Sequence, residues 1–281
     1  MFDRRIKNAE IFRDTVNRYK TDEELAGAIE LSKERQSLIL ESDSVSVPTP
    51  SRKEKAKVIV SAKRSLEAAQ QYAKAGKKVC VLNFASATNP GGGVVKGSSA
   101  QEECICRCTT LYPCLNISEL WSNFYGPHRA ACNPLNNSDC IYTPDVVVFK
   151  SDTDFPEPLE KNAWWKTDIL TCAAPNLREK PSNSMNPQPN SKPASVTPQQ
   201  FKELLTIRIR RIFKVAAANG CDVLILGAFG CGAFRNPPQI VAQVFAEVMQ
   251  DFIYHFETIE YAVFHTQRET ANFDEFRKFL G

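Results

Sequence analysis

The chain has 281 residues, of which 43% are hydrophobic and 24% charged, which is ordinary for a globular protein and allows one large α/β unit with an extension. Its 35 lysines and arginines against 32 aspartates and glutamates leave a net charge of +3, and without a dominant basic tract we expect no binding of duplex DNA through its phosphates. The start lacks the apolar core of a signal peptide, and no apolar run could span a membrane. We therefore expect an intracellular protein, cytoplasmic or, in a eukaryote, also nuclear, whose ten cysteines are reduced thiols.

The first part of the chain is predicted to be helical. Residues 8–40 are polar with recurring apolar positions, which indicates about two surface helices packed on a larger body. The Ser- and Pro-rich segment 42–52 that follows is typical of a linker. We therefore expect residues 1–52 to form an N-terminal helical extension and residues 53–281 to form the main domain.

A strand–helix–strand succession opens this domain. It consists of a β-branched run at 57–61, a helical segment at 65–75 that Gly76 ends, and an apolar run at 79–84. This order predicts parallel strands. Later strands are expected at 146–150, 168–172, 223–227 and 259–265.

Two helices are predicted among the later strands. Thr197, with Gln200 three residues on, is a typical helix start. Asn236 followed by Pro237 is another, with the proline at the first helical position. The segment 175–198 contains six prolines and almost nothing apolar, which predicts a long surface loop.

Two glycine-rich loops each follow an apolar strand and precede a helix. They are 89–93 (Asn-Pro-Gly-Gly-Gly) and 227–234 (Gly-Ala-Phe-Gly-Cys-Gly-Ala-Phe). Such loops leave backbone N–H groups free, and a helix N-terminus adds partial positive charge for an anion such as phosphate. Two loops of this kind fit a diphosphate, although either alone is equally well a tight turn. Neither matches the dinucleotide fingerprint or the Walker loop.

Two adjacent carboxylates follow the first loop. Ser99 stands three residues before Glu102, so a capping box is the structural explanation for Glu102, whereas Glu103 has no such duty. Adjacent helical residues point about 100° apart, so the pair cannot straddle a glycosidic bond as in an ordinary glycosidase. We expect one carboxylate to handle a proton while the other orients substrate. A helix start favours the ionised form, so the acid needs burial or a nearby phosphate to raise its pKa.

The cysteines and histidines do not suggest a metal site. Cys104, Cys106 and Cys108 alternate, whereas zinc ligands come in pairs with a second pair later. The three histidines form no pair at helical spacing. We expect buried thiols, structural histidines, no metal and no cofactor; a thiol–metal protein is a remote alternative.

Several segments together resemble the poly(ADP-ribose) glycohydrolase family. The stretch 81–86 (Val-Leu-Asn-Phe-Ala-Ser) precedes the triple glycine 91–93, and Gln-Glu-Glu at 101–103 follows after seven residues; the family signature has this arrangement. The bacterial type, also seen in filamentous fungi, is further resembled at 111–112, 142–149, 171–176 and 226–236. The resemblance covers nearly the whole chain, and its combined motifs are specific, whereas the triple glycine alone would not be.

The resemblance implies a macrodomain-like fold: a three-layer α/β/α sandwich with a mixed, largely parallel central sheet and an N-terminal helical extension, which binds ADP-ribose at the strand ends. It also implies a hydrolase of the ribose–ribose O-glycosidic bonds of poly(ADP-ribose). Glu103 would be the general acid/base, Glu102 would orient the ribose hydroxyls, the diphosphate would lie between the two loops, and Phe234 would pack on the distal ribose. The substrate-binding residues implied are Asn89, Gly91, Gly92, Gly93, Val94, Gln101, Gly230, Cys231, Gly232 and Phe234.

The ribose contact and the linkage that is cleaved each have more than one candidate. Ser86 and Asn89 both qualify by position for the ribose contact, and we favour Asn89. Pro237 stands where the family often has Asp, so no role is assigned there. A hydrolase of mono-ADP-ribosyl or acyl-ADP-ribose linkages and a non-catalytic ADP-ribose-binding domain are the alternatives; the intact Gln-Glu-Glu at 101–103 argues against the latter. The expected partners are poly(ADP-ribose), ADP-ribose and ADP-ribosylated proteins, with neither membrane nor duplex nucleic acid.

Overall fold

A seven-stranded sheet forms the centre of the molecule in a computed structural model that describes residues 3–50, 52–184 and 190–281. Its strands are β1 (Ser37–Ile39), β2 (Lys57–Ser61), β3 (Val79–Phe84), β4 (Cys140–Val148), β5 (Trp165–Cys172), β6 (Val223–Leu226) and β7 (Thr258–Ala262). Their order across the sheet is β1-β4-β5-β3-β6-β7-β2. β4 runs antiparallel to both neighbours, and the remaining pairs are parallel.

Helices cover both faces of this sheet. They are α1 (Arg4–Thr21), α2 (Glu23–Arg35), α3 (Ser65–Lys74), α4 (Gln101–Cys108), α5 (Leu111–Leu115), α6 (Ser118–Leu120), α7 (Gly126–Ala131), α8 (Pro198–Ala218), α9 (Pro238–Met249) and α10 (Ala271–Leu280). A π-helical turn, Trp121–Tyr125, joins α6 to α7, and single 3-10 turns occur at Val94–Lys96, Lys161–Ala163 and Gln250–Phe252. The expected three-layer α/β/α arrangement with a mixed, largely parallel sheet is confirmed.

The core divides into two apolar layers because side chains of a strand alternate between its faces. In β3, Cys80 and Leu82 face the layer formed with α8, α9 and α10. Val79 and Val81 face the opposite layer, which α1, α3 and α4 complete. The first five residues of β3 are buried, because apolar layers cover the strand on both faces. Burial on both faces explains why the sequence of β3 is a continuous apolar run.

The strand and helix predictions are confirmed in most places. β2 and β3 have the expected bounds, and the box formed by Thr197 and Gln200 starts α8. β4 and β5 begin earlier than predicted, at 140 and 165, and β7 ends at 262 rather than 265. The predicted start of α9 is wrong by one residue, because the side chain of Asn236 lies buried against Gly230 and Pro237 stands at the cap.

The segment 1–52 contributes a strand as well as the two expected helices. β1 pairs antiparallel with β4, with Leu38 opposite Ile141. On α1, Asp14 forms an ion pair at 2.7 Å with Lys150, which is 1% exposed and also donates to the carbonyl of Ile11. These contacts attach the segment to the sheet. Within the described ranges, no helix has both the length and the apolar character to cross a membrane.

Candidate active site

A cavity of about 510 Å³ opens at the carboxyl ends of β3, β5 and β6, where ligands bind in open α/β sheets. Predicted site residues that line it are Gly92, Gly93, Gln101, Glu102, Glu103, Gly230, Gly232 and Phe234. The lining also includes residues that were not predicted: Arg5, Phe84, Ser98, Ala100, Ala174, Arg178, Asn183, Ala228, Ala233 and Asn272. The two glycine loops and the two carboxylates thus converge on one site.

Gln101 fixes the start of α4 against the end of β3. Its Oε1 accepts the N–H of Phe84 at 2.9 Å, and its Nε2 donates to the carbonyl of Leu82 at 2.7 Å and to the hydroxyl of Ser65 at 3.0 Å. The carboxamide therefore serves as a brace, whereas the resemblance implied a substrate contact. Because Gln101 is anchored, the next two residues of α4 are directed towards the cavity.

Glu102 is 3% exposed and is bound to the segment after β3. Its Oε2 accepts the N–H of Ser86 at 2.8 Å, and its Oε1 lies 3.4 Å from Nδ2 of Asn83. The predicted capping box is therefore wrong: α4 is capped by Ala100 without a side-chain bond, because the carboxylate of Glu102 is used across the fold. Burial and then the charge of Glu103 raise the pKa of Glu102 well above its usual range, against the opposing effect of the Ser86 N–H.

Glu103 is 7% exposed and has one oxygen committed and one free. Its Oε1 accepts the N–H of Gly93 at 2.8 Å. Its Oε2 is buried and has no hydrogen-bond partner among the described residues. Burial raises the pKa of Glu103, and the Gly93 N–H opposes that rise. The site therefore holds two carboxyl groups that retain protons more readily than ordinary glutamates.

The first glycine loop holds the carboxylates in place. The N–H of Gly92 donates to the Asn89 carbonyl at 2.9 Å, that of Gly93 to Glu103, and that of Val94 to the Gly91 carbonyl at 3.1 Å. A Cβ on Gly92 would lie only 2.6 Å from Oε1 of Glu103, and the φ of +58° also requires glycine. The expectation of free amides in the loop 89–93 is therefore wrong for Gly92 and Gly93, because their N–H groups are used inside the protein.

Asn89 lies behind this loop rather than in the cavity. Its Nδ2 donates to the Gly92 carbonyl, and its Oδ1 accepts from Nη2 of Arg129 at 3.3 Å. Arg129 also donates to the Thr88 carbonyl at 2.6 Å and stacks over the ring of Trp121. Ser86, by contrast, lines the cavity, and the ribose contact of Asn89 stays a prediction. Three further predicted residues lie outside the lining: Gly91, Val94 and Cys231.

The second glycine loop differs from the first in its free amides. The N–H groups of Gly232, Ala233 and Phe234 have no acceptor within the described part of the chain, and all three residues line the cavity. Gly230, at φ +76°, packs so closely that a Cβ would lie 2.1 Å from Nδ2 of Asn236. A Cβ on Gly232 would meet nothing within 4 Å. This loop therefore has three unused N–H donors in residues of the cavity wall, and an anion requires such donors.

The buried thiols and His128 take structural positions. All ten cysteines are free, and Cys106 and Cys108 are fully buried. His128 bonds through its two ring nitrogens to the Phe124 carbonyl and the Asn137 side chain. Among the residues that the structure describes, no group of three or more His, Cys, Asp and Glu side chains could hold a metal ion.

Comparison with known proteins gives a consistent result. The family model for the catalytic domain of microbial-type PARG, poly(ADP-ribose) glycohydrolase, matches residues 7–151. The crystal structure of the Thermomonospora curvata PARG is similar with a TM-score of 0.84 at 27% identity, over 98% of this chain and 100% of that one. The same enzyme bound to the inhibitor ADP-HPD gives 0.80 at 27% identity, covering 98% and 99%. The Deinococcus radiodurans PARG in complex with ADP-ribose gives 0.70 at 28% identity, covering 89% and 95%. A search of curated protein sequences found no significant match.

Proposed function

Because the chain belongs to the microbial-type poly(ADP-ribose) glycohydrolase family and is therefore a hydrolase of poly(ADP-ribose), we propose that Glu103 is the general acid/base of this reaction. The observation that carries the assignment is the free Oε2 of Glu103. Oxygens of the neighbouring Glu102 are held by Ser86 and Asn83, whereas this oxygen has no partner in the described residues and its residue lines the cavity.

The substrate is placed by the two loops. The three free amides of Gly232–Phe234 suit the diphosphate of the terminal ADP-ribose unit. The distal ribose then lies next to Gly92 and the carboxylates, with Phe234 packed on it and Glu102 accepting from its hydroxyls. Gly91, Val94 and Cys231 support this surface from outside the lining. Bound in this way, the glycosidic bond meets Glu103 with little remaining freedom, which lowers the entropic part of the barrier.

A second recess, of about 210 Å³, adjoins the cavity past Phe84 and Ala228 and suits the adenosine end of the unit. ADP-ribose carries its adenosine on the opposite side of the diphosphate from the distal ribose, so adenosine needs a second place next to the cavity. The recess offers an apolar wall at Phe264 and polar groups at Ser65 and Asp152. Such a combination fits a purine base.

The reaction follows from the protonation states. Protonated Glu103 donates its proton to the 2′-oxygen of the leaving unit as the C1″–O bond breaks, through an oxocarbenium-like transition state. The resulting carboxylate is stabilised by the Gly93 N–H and then takes a proton from water, whose oxygen bonds to C1″. Burial raises the pKa of Glu103, and the diphosphate raises it further, so the acid holds its proton until the transfer.

Purified poly(ADP-ribose) and the Glu103→Gln variant test the assignment. We expect the rate of ADP-ribose release to fall by about 10²–10⁴-fold, as for loss of a general acid/base, while ADP-ribose binding by calorimetry is largely kept. The matched control is Glu157→Gln, an exposed glutamate outside the cavity, which should cleave like the wild type. Turnover by Glu103→Gln near the wild-type rate would refute the role of Glu103.

We propose ADP-ribosylated proteins as the physiological partners, since they carry the polymer, and an intracellular location, which the ten free thiols support. We also propose that residues 1–52 are an extension attached to a catalytic unit at 53–281. Mono-ADP-ribosyl and acyl-ADP-ribose substrates should be cleaved more slowly than the polymer. A wild-type protein that binds ADP-ribose but releases none from the polymer would instead be a non-catalytic reader.

A further inference from the structure

Arg178 is a cation on the cavity wall whose position is fixed relative to the second glycine loop. It follows β5 by six residues, and the N–H of its neighbour Leu177 donates to the Phe234 carbonyl at 2.9 Å. The N–H of Asn176 donates to the Pro134 carbonyl at 2.8 Å. The segment that carries Arg178 is thus hydrogen-bonded to the loop that presents the three free amides.

The guanidinium of Arg178 is oriented by its own segment. Its Nε donates to Oδ1 of Asn176 at 3.1 Å, and its Nη2 donates to the Pro181 carbonyl at 2.7 Å. Asn176 is 1% exposed and is itself held, because its Nδ2 donates to the same carbonyl at 3.1 Å. A guanidinium has five N–H donors. The two supporting bonds use one edge of the guanidinium, and Nη1 has no acceptor among the described residues, so it can bind a ligand.

The charge of Arg178 is not neutralised by a neighbouring acid. Within the described ranges, neither Arg178 nor Arg235 has a carboxylate within 4.0 Å. Burial and the nearby Arg235 lower the pKa of Arg178. The guanidiniums of Arg178 and Arg235 repel each other, and that of Arg178 is half-buried. A bound anion would reduce this repulsion. The guanidinium also lies 5.7 Å from the ring of Phe234, one of the three residues whose amides are free.

We propose that Arg178 is a diphosphate-binding residue that donates charge-assisted hydrogen bonds to the phosphate oxygens held by the amides of Gly232–Phe234. The inference rests on the proposed function, since it uses the same cavity. A planar guanidinium suits phosphate oxygens better than an ammonium does, because two of its N–H groups can bind in parallel. Asn176 is then a positioning residue, because it touches Arg178 and not the ligand.

The test is ADP-ribose affinity measured by calorimetry on the full chain. Arg178→Gln should weaken binding by about 10–100-fold, the loss expected for a hydrogen bond to a charged group. Arg178→Lys keeps the charge but not the planar geometry, so it should recover only part of this loss. The matched control is Arg277→Gln, which removes the same charge from the exposed side of α10 and should bind like the wild type. With polymer as substrate, KM should rise more than kcat falls.

ADP serves as a second ligand, because it has the diphosphate but lacks the distal ribose. We expect Arg178→Gln to weaken ADP and ADP-ribose by similar factors. A variant that binds ADP-ribose within about twofold of the wild type would overturn the inference, and so would a loss confined to ADP-ribose, which would place Arg178 at the ribose. Arg178→Lys carries the test if Arg178→Gln has a lowered melting temperature. A wild-type protein that releases no ADP-ribose from polymer would refute the proposed function, but it would leave these affinity ratios intact.

Discussion

Replacing Gly92 by alanine should displace the two carboxylates without replacing either of them. The new Cβ would lie 2.6 Å from Oε1 of Glu103 and 3.0 Å from Oε2 of Glu102, whereas ordinary contacts begin at 3.4 Å. The Glu103 oxygen must therefore move by about 0.8 Å, which also disturbs its bond with the Gly93 N–H. No ionisable group is added or removed, so a loss of rate reports on the position of the carboxylates and on the hydrogen bond that Glu103 accepts from Gly93.

The size of the effect follows from these distances. A misplacement of about 1 Å in a catalytic group costs about 10²-fold in rate, so we expect kcat to fall by about 100-fold. Alanine at a φ of +58° should also cost about 1–2 kcal/mol of unfolding free energy. ADP-ribose affinity should change much less, because the amides of Gly232–Phe234 are untouched.

The chain contains a matched control for the backbone strain. Gly76, after the end of α3, has a φ of +76°, and a Cβ there would meet nothing within 4 Å. Gly76→Ala should therefore lose a similar free energy of unfolding without losing activity. Release of ADP-ribose from purified polymer, calorimetry and urea denaturation measure the three quantities. If Gly92→Ala kept wild-type kcat, or Gly76→Ala lost as much activity, the carboxylates would not be positioned by this loop.

Burial and the charge of the neighbouring carboxylate raise the pKa of Glu102 in the folded state. The free energy of unfolding should therefore fall as pH rises above the unfolded pKa of about 4.3, and Glu102→Gln should reduce that fall. Urea denaturation at a series of pH values measures it, and the same pH dependence of the unfolding free energy in wild type and variant would contradict the expectation. Arg129→Ala removes the donor to the Thr88 carbonyl at 2.6 Å. We expect kcat to fall by about 10-fold, with a smaller change in ADP-ribose affinity. Equal losses of kcat and of ADP-ribose affinity would exclude a role of Arg129 in holding the first loop. Asp14→Ala leaves the buried ammonium of Lys150 without the carboxylate 2.7 Å away. Urea denaturation should show a loss of about 1–3 kcal/mol of unfolding free energy, which is less than for a fully buried pair because Asp14 is half exposed. An unchanged unfolding free energy would mean that the pair does not help to hold α1.

Features that depend on neighbouring residues were predictable from the sequence. β2 and β3 are apolar runs of strand length, and their bounds match the prediction. The box of Thr197 and Gln200 uses residues three apart, so its geometry is complete once one helical turn forms. The resemblance carried by the triple glycine and Gln-Glu-Glu led to the family and fold for the same reason, since each motif is contiguous in the chain.

Features that depend on distant partners were decided only by the tertiary structure. β1 is three residues long and is a strand because β4 lies beside it. Glu102 does not form the capping box that the sequence offered as a structural alternative, because its carboxylate accepts the N–H of Ser86, sixteen residues earlier. The two similar glycine loops have different roles: the Gly93 N–H of the first donates to Glu103, whereas the N–H groups of Gly232–Phe234 in the second have no acceptor among the described residues. Arg178 lies just after the resembling segment 171–176, in a proline-rich loop that is partly outside the described residues, and nothing in the sequence marked it as a site residue. In each case the energy comes from a hydrogen bond or a contact whose partner only folding brings near.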